Sequence, residues 1–273
     1  MTFDPKLIEE KAKAIRVNSL KMIHAAKSGH PGGSLSIADM LSVLYFGGQL
    51  KHDPSNPEMQ DRDILVVSKG HSSPAVYSVL ALAGFYNIED TMSFRQLGSK
   101  FQGHIDRMRV PGVEMSTGSL GHGLSNALSM ALAAKLDKSS KTIYAILSDG
   151  EMQEGSNWEA IMAAAHFKAD NLIAILDRNR IQLDGWTEKT MGLEPIKEKL
   201  EAFNWEVQEI NGHDIVAINS AINNAKESSS DKPKFIIANT VKGKGVSFME
   251  DEVAWHGVAP KDEDLAKALE ELK

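Results

Sequence analysis

Residues 141–185 read KTIYAILSDGEMQEGSNWEAIMAAAHFKADNLIAILDRNRIQLDG, and this stretch decides the fold. Two β-rich runs, 142–147 and 172–176, flank a helix-compatible segment at 157–167. Short apolar runs that alternate with a helical pattern are typical of a βαβ unit. The two strands of such a unit are parallel and are joined by a right-handed crossover.

Polar and small residues follow both strands. Asp149 and Gly150 end the first run, and Asn179 closely follows the second. Because parallel strands of this unit end at the same edge of the sheet, we expect Asp149 and Asn179 to face one site, at the edge where ligands bind. A carboxylate, an amide oxygen and nearby carbonyls suit Mg²⁺ or Ca²⁺, and Gly150 would let a diphosphate approach the backbone. The alternative is a plain surface turn, the usual structure of Asp-Gly after a strand.

Further strands are predicted at 63–68, 205–210 and 234–239, mostly separated by helical patterns. This order predicts an α/β fold in one domain over residues 1–273: a doubly wound, mostly parallel sheet flanked by helices. Helices are predicted at 5–27, 36–46, 157–167, 195–203 and 214–225, two more ending at Ala83 and Leu136, and a charged surface helix at 261–273.

The composition excludes several classes of function. The 273 residues are 42% hydrophobic and 25% charged, with a net charge of −7 that argues against nucleic acid as a partner. The chain has no cysteine, which excludes disulfides, thiolate metal sites and a cysteine nucleophile. The N-terminus is too charged for a signal peptide, and no apolar run approaches the ~18 residues of a membrane span. We expect a cytoplasmic protein without membrane contact.

Glycine-bearing loops recur along the chain. Residues 28–34 (SGHPGGS) and 69–74 (KGHSSP) each combine glycine, proline and histidine, and 116–123 (STGSLGHG) precedes an apolar helix. Such loops let backbone and imidazole approach a ligand closely. The first could instead be a helix connector, and the third could pack on another subunit. The long irregular stretch 89–117 is also expected to be functional.

Four histidines, His30, His71, His104 and His256, lie in glycine-bearing loops rather than in apolar helices, which is the pattern of a proton-handling pocket. The histidines interpreted as structural are His24, His52, His166 and His213, and His122 is left open.

With these loops in place, residues from about 6 to 260 resemble the N-terminal, thiamine-diphosphate-binding half of transketolase. The stretches that carry the resemblance, in the family's order, are SGHPGGSLS (28–36), SKGHSSPAVY (68–77), QGHIDR (102–107), PGVEMSTGSLGHGLSNA (111–127), SDGEMQEGSNWEA to DRNRIQLDG (148–185) and WHG (255–257). The resemblance implies a single thiamine-diphosphate-binding domain.

The resemblance also implies roles for individual residues. The implied ligands of Mg²⁺, for which Ca²⁺ can substitute, are Asp149, Asn179 and the carbonyl of Ile181. The implied cofactor contacts are His71, Gly118, Leu120, Asp149, Gly150, Asn179 and His256. The histidines implied to line the substrate channel and assist proton transfers are His30, His71, His104 and His256. Glu154 resembles the acidic residue at the family's subunit interface.

Three positions depart from the family's pattern. Ser148 replaces the first glycine of Gly-Asp-Gly, Ile105 replaces a proline, and His122 stands where glutamine is commoner. These changes bear on substrate preference more than on cofactor binding.

In the family, the glutamate that activates the cofactor lies in a following pyrimidine-binding domain, together with most residues that hold the sugar phosphate. This chain therefore resembles the N-terminal subunit of a split transketolase of the pentose phosphate pathway, inactive alone and paired with a C-terminal subunit in an α2β2 heterotetramer. The helical tail favours a natural end at Lys273.

The implied reaction passes a two-carbon glycolaldehyde unit from a ketose phosphate to an aldose phosphate. The alternatives are a related ketolase for another sugar, of sulfosugar or deoxyxylulose-phosphate-synthase type, and a non-catalytic cofactor-binding module.

Overall fold

Five parallel strands form one sheet in the computed structural model, which describes residues 3–273. Their order in the sheet is β1-β2-β3-β5-β4. The strands are β1 (Ile64–Val67), β2 (Ile143–Ser148), β3 (Leu172–Arg178), β4 (Glu206–Asn211) and β5 (Lys234–Asn239). The predicted doubly wound, parallel α/β sheet is confirmed, and the strands lie close to their predicted bounds.

Helices cover both faces of this sheet. They are α1 (Pro5–Ala26), α2 (Pro31–Ser36), α3 (Ala38–Phe46), α4 (Ser73–Leu82), α5 (Gly123–Leu136), α6 (Gly155–His166), α7 (Thr187–Thr190), α8 (Ile196–Ala202), α9 (Ile215–Glu227) and α10 (Asp262–Glu271). Within residues 3–273 no helix is long and apolar enough to cross a membrane.

The central strands are buried on both faces, as β2 illustrates. Tyr144 and Ile146 pack against the layer formed by α1, α3, α4 and α9. Ile143, Ala145 and Leu147 face the opposite layer, formed by α5, α6 and α8. Because successive side chains of a strand point to opposite faces, a strand buried on both sides needs an unbroken apolar sequence. This is why the run at 142–147 was readable as a strand.

The segment before α3 differs from the prediction. The predicted loop at 28–34 is wrong beyond His30, because residues 31–36 form the short buried helix α2. Pro31 suits the first helical position. A side chain at Gly32 would lie 2.9 Å from Cγ of Lys242, so the close packing of that lysine requires glycine there. Glycine is a poor helix former, and its presence hides the helix from sequence patterns.

The C-terminal helix α10 is anchored on one side only. Ala268 and Leu272 are buried against Val246 and Met249, which belong to the segment after β5. The acidic first turn, starting at Asp262, is exposed. The helix therefore covers part of the chain that returns from the sheet edge.

Candidate active site

A cavity of about 320 Å³ opens at the carboxyl edge of the sheet, where open α/β sheets bind ligands. Its wall is supplied by loops that follow β1, β2, β3 and β5 and by the segment between α1 and α3. The predicted site residues on that wall are His30, His71, His104, Gly118, Leu120, Gly150, Glu154, Asn179, Ile181 and His256. Stretches that are far apart in the sequence therefore meet in one place.

Asp149 lies behind this wall and is fully buried. One carboxylate oxygen accepts from the backbone amide of Gly150 at 2.8 Å. The other accepts from Nη1 of Arg178 at 2.9 Å and from the backbone amide of Arg180. Burial and the neighbouring Asp177 raise the pKa of Asp149, and Arg178 opposes that shift. The site thus surrounds this carboxylate with positive and donor groups.

Asn179 and Ile181 follow the adjacent strand. The pairing of Ser148 with Asp177 in the sheet places Asn179 beside the turn that contains Asp149. The amide nitrogen of Asn179 donates to Oδ2 of Asp177 at 2.8 Å, and its Oδ1 accepts from the backbone amide of Ile181 at 3.2 Å. The carbonyl of Ile181 accepts from Nζ of Lys242 at 2.9 Å.

The histidines of the four loops form a cluster on the cavity wall. Ring centroids of His30 lie 5.2 Å from His71, 6.2 Å from His104 and 5.6 Å from His256. Burial, with Arg95 next, lowers the pKa of His30 to about 4, and burial with Lys242 lowers that of His256 to about 3. These imidazoles are therefore neutral at pH 7 and can accept a proton or a hydrogen bond.

Family comparison agrees with this geometry. Residues 8–272 match the family model described as the transketolase thiamine diphosphate binding domain. The chain belongs to the transketolase family.

Transketolase relatives fall into two length classes. A 6-deoxy-6-sulfo-D-fructose transketolase subunit from a Clostridium species is 44% identical, over 97% of this chain and 96% of its own length. An apulose-4-phosphate transketolase subunit from Actinobacillus succinogenes is 42% identical, over 97% and 96%. The crystal structure of transketolase from Campylobacter jejuni superposes with a TM-score of 0.92 at 40% identity, covering 99% of this chain but 43% of that one.

The oxygen donors at the sheet edge fit the divalent cation expected of a transketolase domain. Among the described residues, no three His, Cys, Asp or Glu side chains are arranged to hold a metal. The candidate set has one carboxylate, from Asp149, with an amide oxygen from Asn179 and the carbonyl of Ile181. An all-oxygen set of this kind suits Mg²⁺ or Ca²⁺ completed by phosphate oxygens, and does not suit zinc. The Ile181 carbonyl of this set accepts a hydrogen bond from the ammonium of Lys242.

Two buried lysines contribute to the site and were missed in the sequence. Lys69, from the SKGH motif, forms an ion pair with Asp177 in which the side chains are 1% and 0% exposed. Lys242 donates to Nδ1 of His256 at 2.7 Å, and burial, with Lys69 next, lowers its pKa to about 8. Lysines are usually exposed, so only their glycine-rich surroundings signalled these inward positions.

Glu151 is a third residue that sequence reasoning missed. It is fully buried, and burial raises its pKa. Its carboxylate accepts from the backbone amide of Gly121 at 2.9 Å, from the hydroxyl of Ser68, and from the backbone amide of Ser148 at 3.3 Å. Glu151 therefore ties the glycine-rich loop to the ends of β1 and β2. Ser148, the departure from the family's glycine, is accommodated at 7% exposure.

Two glycines keep the cavity open to an approaching ligand. Gly118 has φ +145°, and a Cβ there would lie 2.8 Å from Cδ2 of His104. A Cβ on Gly150 would lie 2.7 Å from Cβ of Gln182. Side chains at either position would collide with the wall, so glycine at these positions lets a ligand approach the backbone closely.

The remaining predicted positions lie away from the cavity wall. His122 is exposed at the start of α5, and Ile105 is buried in the apolar core. Among the histidines interpreted as structural, His24 contacts Asp262 and His52 packs on Tyr45. His166 is exposed at the end of α6.

Proposed function

We propose that this chain is the N-terminal subunit of a split transketolase. It would bind thiamine diphosphate with Mg²⁺ and, with a separate subunit bearing the pyrimidine domain, transfer a two-carbon unit from a ketose phosphate to an aldose phosphate. The observation that carries the proposal is the cavity, whose wall contains four neutral histidines, Asn179 and Ile181, with the buried carboxylate of Asp149 behind it. The Clostridium and Actinobacillus relatives, similar in length to this chain, are named as subunits, which supports an assembly with a second kind of chain. The proposed assembly contains two chains of each kind.

The chain's residues divide the work between anchoring and proton handling. Asp149, Asn179 and the Ile181 carbonyl would hold Mg²⁺, while Gly118 and Gly150 let the diphosphate approach the backbone. Leu120, His71 and His256 would also contact the cofactor, and Glu154 is proposed at the subunit interface. When bound, thiamine diphosphate would supply the electron sink for cleavage of the carbon–carbon bond. The partner subunit would supply the residues that activate it, so this chain alone would be inactive.

The four histidines would hydrogen-bond the donor's hydroxyls and hold protons at its carbonyl oxygen. Their lowered pKa values keep the imidazoles neutral and ready to accept. A bound diphosphate would add negative charge beside His71 and His256 and raise their pKa values toward neutrality. Groups that titrate near the working pH are the most effective general acids and bases.

Calorimetry on the chain mixed with its partner subunit tests the proposal. We expect thiamine diphosphate to bind in the presence of Mg²⁺ and to be released by a chelator. If no Mg²⁺-dependent binding occurs, the catalytic proposal is wrong, whatever sugar is supplied.

The second candidate function is transfer from a donor ketose other than a common sugar phosphate. The two relatives described above carry names for 6-deoxy-6-sulfo-D-fructose and apulose 4-phosphate at nearly equal identity to this chain. Assays of the two-subunit enzyme on fructose 6-phosphate, a sulfonated ketose and an unphosphorylated ketose would identify the donor by the ratio of their kcat/KM values.

His104→Ala should separate substrate binding from cofactor binding. His104 is exposed at the cavity wall, whereas the other three histidines are partly covered. Loss of one hydrogen bond of about 1 kcal/mol should raise the donor KM roughly fivefold and leave the affinity for thiamine diphosphate unchanged. His166→Ala, at an exposed histidine off the wall, is the control and should match the wild type. A comparable loss of cofactor affinity in His104→Ala would contradict this division of roles.

A further inference from the structure

The segment after β5, residues 240–243, delivers two groups to the site. Thr240 donates its hydroxyl to Oδ1 of Asp177. Lys242 reaches both the Ile181 carbonyl and Nδ1 of His256. The position of this segment therefore determines where the Lys242 ammonium lies relative to the oxygen donors.

The backbone of the segment is held at three points. The amide of Thr240 donates to the carbonyl of Arg178 at 3.2 Å, and that of Gly243 donates to the carbonyl of Gly32 at 3.1 Å. Between them, the amide of Val241 donates to Nε2 of His213 at 2.8 Å. The residue directly before Lys242 is thus fixed by an imidazole.

His213 is itself fixed from the other side. Its Nδ1 lies 2.7 Å from Oδ2 of Asp39, and Arg16 pairs with the same carboxylate. Burial alone would raise the pKa of Asp39, but Arg16 and His213 hold it below its usual range, so the carboxylate stays charged. Because Nε2 accepts from Val241, the ring proton lies on Nδ1 and is donated to Asp39.

We propose that His213 is a positioning residue for Lys242, acting as a neutral imidazole that links the Arg16–Asp39 pair to the backbone of Val241. It touches neither substrate nor cofactor. A test that measures cofactor affinity rests on the proposed function, whereas a test that measures amide hydrogen exchange in the free chain does not.

Protonation would break this link. An imidazolium carries a proton on Nε2, which would then face the N–H of Val241 with no acceptor between them. The charged groups around His213 are Asp39 on α3, Arg16 on α1 and Glu250 in the segment after β5.

Amide hydrogen exchange in the full-length chain, without cofactor, tests the proposal. At pH 7.5, Val241 in the wild type should be protected, after correction for intrinsic exchange. His213→Gln can accept from Val241 and donate to Asp39, and should keep this protection. His213→Leu should lower it at least tenfold. His166→Gln, on an exposed histidine, should behave as the wild type.

Two further measurements complete the test. Nitrogen-15 NMR of labelled histidine should show the His213 proton on Nδ1 at pH 7.5. In the complex with Mg²⁺ and the partner subunit, His213→Leu should weaken thiamine diphosphate binding about tenfold, and His213→Gln should restore it. Protection of Val241 in His213→Leu equal to that in the wild type would overturn the proposal. If His213→Leu does not fold, a His213 proton found on Nε2 would overturn it. If the wild-type complex binds no cofactor, the proposed function fails and the exchange result still decides the role of His213.

Discussion

Asp149→Asn should abolish Mg²⁺-dependent binding of thiamine diphosphate while changing the stability of the cofactor-free chain little. The substitution keeps the shape of the side chain but removes the only carboxylate from the proposed donor set. Replacing even an outer-shell partner of a metal commonly costs 10–100-fold in affinity, so loss of a charged ligand should cost more than about 100-fold.

The expected stability of the cofactor-free variant follows from the burial of Asp149. Asp149 is fully buried, and burial together with Asp177 raises its pKa, so the fold disfavours the ionised carboxylate when no cation is bound. An amide at this position removes the buried charge, but its NH2 group would face one of the N–H donors that now bond to the carboxylate, so the two effects offset. Arg178 keeps Glu188 and Glu194 as partners. A buried charge that lowers the stability of the free protein and is needed only when ligand is bound is a common compromise between stability and function.

Thermal unfolding with and without thiamine diphosphate and Mg²⁺ measures both the loss of binding and the stability of the cofactor-free chain. Saturation at 100 times the dissociation constant should stabilise the wild-type assembly by about 2.7 kcal/mol, and the variant by nearly nothing. Asp170→Asn, at an exposed ion pair with Lys135, is the control and should retain the whole ligand effect. A variant that still gains stability from cofactor and Mg²⁺ would show that Asp149 is not a metal ligand.

The sheet edge could be predicted from the sequence because its determinants are local. The apolar runs of β2 and β3 and the turn residues after them are each contained in a few positions, and the handedness of the crossover does the rest. Asp149 and Asn179 meet for that reason. The burial of Asp149 behind the wall was not readable, since it depends on Arg178 and Arg180 folding back over the turn.

The polar interior of the site depends on long-range pairs, which no local pattern encodes. Lys69 lies in the turn after β1 and Asp177 lies in β3, and each on its own resembles an ordinary surface residue. Gly32 and Gly33 hide α2 for a related reason: their small size makes room for Lys242 and Lys69, which only the folded chain reveals.

The donor sugar is not encoded in overall similarity. Two relatives at 44% and 42% identity carry names for different sugars, although both cover nearly this whole chain. Residues that anchor a cofactor form motifs that persist among such relatives, whereas discrimination between sugars needs few contacts and only about 1–3 kcal/mol each.

Either single substitution at the Lys69–Asp177 pair, Lys69→Met or Asp177→Asn, should destabilise the chain by about 3–5 kcal/mol, because each leaves the other charge buried without its partner. Ser36, Thr240 and Asn179 also bond to Asp177, and these neutral donors cannot replace the ammonium. The double variant should recover most of the loss, since an amide beside a methionine leaves no buried charge. Urea unfolding of the four proteins gives the coupling energy directly.

The pH dependence of this pair has a definite sign. Burial alone would raise the pKa of Asp177, but Lys69 and the surrounding hydroxyls hold it below the ordinary value. A carboxyl whose pKa is lowered by folding contributes stability above its unfolded pKa and loses that contribution as the pH falls through the folded value. The gap between wild type and Asp177→Asn should therefore be full at neutral pH and shrink in acid. Lys135→Met, at the exposed pair with Asp170, should cost less than about 1 kcal/mol at any pH. Equal, small losses of unfolding free energy for the buried and exposed pairs would contradict this prediction. They would mean that water reaches Lys69 and that Asn179 does not rest on a water-excluded ion pair.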